Sequence, residues 1–100
     1  MRSRYCAYAM GLVDYILQTT DPAGPAFEHD TEAWRDQVQR FCAQTTFGGL
    51  TIQEQHETGD RGSVTFDATL SQQRQDVSFS ERSQFTKVDG RWLYHGGEPA

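Results

Sequence analysis

The sequence predicts an α+β domain: two N-terminal helices packed on one face of a curved four-stranded antiparallel sheet, closing into a cone-like roll. Three observations predict it. Apolar residues recur at the helical period of about 3.6 up to Gly49 and at a strand period of about 2 after it. Hairpin chemistry punctuates the second half, at Gly59-Asp60-Arg61-Gly62 and at Asp89-Gly90. The first helix also carries more apolar surface than one flat partner could cover, which calls for a concave one.

That helix spans Met1 to Thr20. Tyr5, Tyr8, Ala9, Leu12, Tyr15 and Ile16 follow the i, i+3, i+4, i+7 series, and Cys6, Met10, Val13 and Leu17 run beside them. Together they cover an arc of roughly 220°, leaving Arg4, Ala7, Gly11, Asp14 and Gln18 for water. Pro22 ends the helix, and residues 21–29 form a loop. Asp30 or Thr31 caps a second helix with Trp34, Val38, Phe41, Cys42 and Thr45 on its inner face. Gly48-Gly49 is its expected stop.

Strands follow. Leu50 and Ile52 alternate with polar residues to about Glu57, and Val64, Phe66, Ala68 and Leu70 do so after the turn. Ser71 to Gln75 is a hairpin loop, and a long third strand places Val77, Phe79, Glu81, Ser83 and Phe85 on one face. Asp89-Gly90 suits a type I′ turn, Trp92, Leu93 and Tyr94 close the sheet, and Gly96 to Ala100 is expected to fray. One hundred residues make one domain, residues 1–100, without internal repeats.

The totals narrow function. A formal charge of −5 with scattered Lys and Arg argues against a nucleic-acid partner. No apolar run reaches the ~20 residues of a membrane span, so no membrane partner is expected. Cys6 and Cys42 read as inward-facing reduced thiols of a cytoplasmic protein. His29, His56 and His95 fall on separate elements without metal-ligand spacing, so no metal and no cofactor are expected.

Glu81 is the informative anomaly, a carboxylate on a face of core aromatics. A buried charge must be paired, hydrogen-bonded or neutralised. A structural ion pair with Arg2, which falls inside the apolar arc of the first helix, is the favoured reading. A ligand-binding carboxylate and a general acid or base are the alternatives. Between helices and sheet such a roll can leave a pocket, for which Tyr8, Tyr15, Trp34, His56, Glu81 and Trp92 are the ligand-binding candidates. His56 is placed with Glu54 on the Leu50–Ile52 face, toward the open mouth. For the aromatics, core filling is the plainer role.

Two stretches carry a resemblance. Met1-Arg2-Ser3-Arg4-Tyr5-Cys6-Ala7-Tyr8, continuing through Gly11-Leu12-Val13-Asp14-Tyr15, resembles the first helix of the YchJ-like family. So does Ser80-Glu81-Arg82-Ser83-Gln84-Phe85 followed by Asp89-Gly90-Arg91-Trp92-Leu93-Tyr94, and the correspondence extends over nearly the whole chain. The resemblance implies the family's middle domain and its nuclear-transport-factor-2-like, cystatin-like roll. Family members usually carry cysteine-rich SEC-C segments, to which zinc binding is attributed, on either side of this domain. Those segments are not among the 100 residues, and their roles do not carry over. Ser80 stands where the family commonly has His, and Thr20-Asp21-Pro22 where it often has Trp-His-Pro.

The family implies no established activity. The leading expectation is therefore a binding or interaction domain, homodimeric through its sheet, with a small molecule or a protein as ligand. A small isomerase- or hydratase-type enzyme using Glu81 as acid or base is the rival. A structural spacer without a pocket is the third reading.

Overall fold

The computed structural model describes residues 2–100; Met1, where the sequence starts the first helix, lies outside them. Helix α1 runs Arg2–Met10 and stops at Gly11, whose φ of 70° is left-handed backbone that glycine enters without a Cβ penalty. The Gly11 N–H donates to the Tyr8 carbonyl (3.2 Å) and the Leu12 N–H to the Ala7 carbonyl (2.8 Å), the paired bonds of a Schellman termination. The chain then restarts as α2, Val13–Gln18.

This break corrects the expected burial. Residues before and after Gly11 no longer share one helical wheel, so the wide apolar arc drawn across both does not exist. Arg4 and Ala7, assigned to water, are the buried residues of α1, whereas Cys6 and Met10 are exposed. Cys42 is half-buried, and both thiols are free.

Helix α3, Thr31–Gln44, starts as expected, with Asp30 Oδ1 accepting from the Ala33 N–H at 3.1 Å. Trp34 and Val38 are buried on its inner face. Its end comes earlier than the glycines. Thr45 is already extended, and β1 (Thr46–Thr58) captures Thr46 and Phe47 by pairing them with Ser71 and Leu70. Gly48-Gly49 thus sits inside a strand, at a bulge.

Strand β2 (Arg61–Gln72), the two-residue β3 (Gln75–Asp76), β4 (Phe79–Val88) and β5 (Arg91–Pro99) complete an antiparallel sheet of five strands rather than four, ordered β1-β2-β4-β5 with β3 paired to the end of β2 at Ser71 and Gln72. Gln73-Arg74 turns with positive φ at both residues (49° and 66°), as does Asp89-Gly90 (51° and 79°), both in the manner of type I′ hairpins. Between β3 and β4, Ser78 Oγ accepts from the Leu70 N–H at 2.9 Å and donates to the Leu70 carbonyl at 3.3 Å, replacing backbone ladder bonds.

Two further expectations change. Residues 96–99 do not fray: Gly96, Gly97, Glu98 and Pro99 pair with Gln84, Ser83, Arg82 and Glu81. Pro99 is tolerated there because β5 is an edge strand of the sheet. In β1, a bulge between Ile52 and Glu54 adds one residue and inverts the alternation. Gln55 then lies opposite Val64, while Glu54 and His56 pair with Thr65 and Ser63 on the other face.

The helices reach the sheet through its edge. Tyr94 N–H donates to the Thr19 carbonyl (2.7 Å) and Asp21 N–H to the Tyr94 carbonyl (2.8 Å), a parallel bridge between the end of α2 and β5. Packing divides into two clusters. Ala7, Ile16, Trp34 and Val38 form the helical one; Phe66, Ala68 and Leu70, covered by Tyr5, Phe41 and Phe47, form the other.

Candidate functional site

The two clusters do not close on each other. Between them lies a cavity of about 320 Å³, with Trp34 and Val38 on the helical wall and Phe66, Ala68 and Leu70 on the sheet wall. Aromatic edges from Tyr8, Phe41, Phe47 and the half-exposed Phe79 complete an apolar lining. Polar side chains interrupt it: Arg4, Glu81 and Tyr94 gather in one corner, and Gln37 and Tyr5 also border it.

Regular alternation along β4 delivers Glu81. The β2–β4 register is unbroken from Arg61↔Thr86 to Ala68↔Phe79, so no bulge turns the carboxylate outward. Phe85 and Ser83 on the same face are buried, Ser83 completely. Ser83 Oγ donates to Glu81 Oε2, and Tyr94 Oη donates to the same oxygen at 3.2 Å. Among the described residues, Glu81 Oε1 accepts no hydrogen bond. Burial, and then the adjacent Glu81 carboxylate, push the Tyr94 phenol well above its ordinary pKa, so it remains a donor at neutral pH.

The carboxylate reaches this position because Gly97 has no side chain. A Cβ there would stand 2.6 Å from Glu81 Oε2 and 2.8 Å from Oε1. Strand β5 therefore lends bare backbone to the site at the one place where Glu81 leans across it.

Arg4 stands on the other side of Tyr94, its Cζ 4.6 Å from the ring centroid. Its Nη1 donates to Thr19 Oγ1 (2.6 Å), the Ile16 carbonyl (3.2 Å) and Thr20 Oγ1 (3.3 Å), all at the C-terminal end of α2. Only 6% of Arg4 is exposed, and burial lowers its pKa. No carboxylate pairs with it among the described residues. The partial negative charge of the helix end and the Tyr94 ring take that role.

The expected Arg2–Glu81 pair does not form. Arg2 is exposed, because with Arg4 facing inward a residue two positions earlier points about 200° away around the helix. The ligand-binding candidates separate into two groups. Tyr8, Trp34 and Glu81 line the cavity, and burial raises the Tyr8 pKa. Tyr15, His56 and Trp92 border a second, more polar groove of about 430 Å³ at the opposite end of the sheet, with Arg4 between the two. There Tyr15 donates to Ser3 Oγ at 2.9 Å, and Lys87 lies over the Trp92 ring. His56 is exposed beside Glu54, placed outward by the β1 bulge.

Sequence reasoning missed Arg4, Tyr94 and Gly97. The alternation that singled out Glu81 also carried Ser83, two residues on. Tyr94 needed the β4–β5 register, which a bulge shifts between Gln84 and Phe85. Gly97 left no local signal, since its role is a contact across strands.

Helices laid on a bulged antiparallel sheet around a half-open cavity define an NTF2-like domain. The chain belongs to the YchJ family as its middle NTF2-like domain, whose family model matches residues 1–97. It is similar to a SEC-C motif containing protein from Rhodopseudomonas palustris, 36% identical with a TM-score of 0.83 over 100% of this chain and 75% of that one. Two DUF4783 family proteins share the fold alone. That from Bacteroides uniformis is 13% identical (TM-score 0.62, covering 91% of this chain and 86% of its own). That from Bacteroides ovatus is 14% identical (TM-score 0.61, 93% and 86%). No helix among the described residues is long and apolar enough to cross a membrane.

Proposed function

We propose that this domain binds a small, largely apolar molecule in the cavity between α3 and the sheet. The observation that supports this is a largely apolar cavity of about 320 Å³ in which Arg4, Glu81 and Tyr94 converge in one corner, the usual build of a small-molecule site. A spacer would have no use for such a gap, since an unfilled apolar cavity forfeits packing contacts. Ala68, 3% exposed on the sheet wall, offers a test. Small aromatic fragments titrated into the labelled protein should shift the amides around Phe66, Ala68 and Tyr94. Ala68→Leu, which fills the cavity from the sheet side, should abolish those shifts. Shifts that persist unchanged in Ala68→Leu, or none at the cavity in the wild type, would overturn the reading.

One observation favours a second reading, an acid–base enzyme of the isomerase or hydratase kind. Glu81 faces the cavity with the Tyr94 hydroxyl at 3.2 Å, a base beside a hydrogen-bond donor. Under that reading Glu81→Gln keeps ligand binding and loses turnover. A homodimer through the sheet and a cytoplasmic setting belong to the same proposal; two free thiols, one exposed, suit a reducing compartment.

A further inference from the structure

Resting on the binding reading above, we infer that the cavity selects ligands with a hydrogen-bond-donating head, a protonated amine above all, and that Glu81 Oε1 is the group that receives it. The two oxygens of Glu81 are not equivalent. Oε2 is held by Ser83 and Tyr94, whereas Oε1 has no donor among the described residues and belongs to a side chain lining the cavity. Glu81 is half-buried, so Oε1 is open to a ligand, and a carboxylate oxygen beside an apolar lining favours a donor, a charged donor most.

The surroundings point the same way. Rings of Tyr8, Trp34 and Phe41 stand on the helical wall, and aromatic faces attract cations. The nearest protein cation, Arg4, turns Nη1 to the end of α2 and stacks on Tyr94, and it forms no ion pair with Glu81. A net charge of −5 favours approach of a cation over that of an anion. The ligand chemistry is thus an aromatic or alicyclic body with an amine head. A hydroxyl head is accepted more weakly, and a carboxylate head is repelled.

Three probes with one body and different heads test this: phenethylamine, phenethyl alcohol and phenylacetate. Each is titrated into the full chain at neutral pH, following the amides of Glu81, Ser83 and Tyr94. The amine should bind about tenfold or more tighter than phenylacetate, with the alcohol between. Glu81→Gln should erase the difference between amine and alcohol. Equal affinities, or preference for phenylacetate through Arg4, overturn the head-group assignment and leave the binding reading standing. Absence of any cavity shift with all three overturns both. Should Glu81→Gln fail to fold, the order of the three probes on the wild type decides by itself.

Discussion

Arg4→Met isolates the clamp that holds α1 to the rest of the domain. Methionine keeps an unbranched stem of similar reach and deletes the guanidinium. Lost with it are three donations from Nη1, the tightest 2.6 Å to Thr19, and the stack on Tyr94 at 4.6 Å. Because the three bonds share one nitrogen, they count as one strong charged hydrogen bond, about 1.5–3 kcal/mol. The stack adds about 1 kcal/mol. Relief of the desolvation that burial imposes on the cation offsets part of this. The acceptors are not stranded, since Ile16 O still receives the Thr20 hydroxyl at 2.8 Å. The net loss is about 2 kcal/mol, a fall in Tm of roughly 8–16 °C for a domain of this size. Thermal unfolding followed by circular dichroism reads it directly, and urea titration with an unchanged slope would show that the unfolded state is unaltered. A Tm equal to or above the wild type would refute the reasoning, for it would mean that an apolar side chain serves this site as well as the ion.

Gly97→Ala drives a Cβ into the Glu81 carboxyl, so the carboxylate must leave Ser83 and Tyr94 or β5 must shift. A loss of about 1–3 kcal/mol is expected, together with displaced amide resonances at Ser83 and Tyr94; an unperturbed spectrum would exclude Gly97 from the site. Asp21 supplies a pH-dependent term. The Ala23 N–H at 2.9 Å, and then His95, hold its carboxyl below the usual carboxylate range. A folded-state pKa depressed in this way contributes stability that is complete above the unfolded value and is lost as pH falls through the folded one. Asp21→Asn should therefore flatten the decline of Tm below about pH 4, and parallel acid limbs in variant and wild type would rule this out.

Much of the architecture was legible because one period governs each half of the chain. The cap at Asp30, the inner faces of α3 and β2, and the turn at Asp89-Gly90 depend on neighbours within a few residues, and they fold as read. What escaped depends on distance. Nothing local to Arg4 says that its charge is answered fifteen residues later by Thr19, so a wheel assigns it to water. Gln73-Arg74 lacks Gly or Asn and is bent by the strands it joins. Of the site, Glu81 was visible as a charge out of pattern, whereas Tyr94 and Gly97 entered only through strand pairing.

Two bulges give β1 three phases. Phe47 lies opposite Leu70, Leu50 and Ile52 opposite Ala68 and Phe66, and Gln55 and Glu57 opposite Val64 and Gly62, all on the inner face. A single-residue deletion at Gln53 would thus be a small event for the side chains beyond it. It would remove the extra residue and leave Glu54, Gln55 and His56 opposite Thr65, Val64 and Ser63, so the second groove and the cavity around Glu81 both keep their linings. In this half of β1 the spare residue lies at the bulge, so a change of length is absorbed there and a change of chemistry requires substitution.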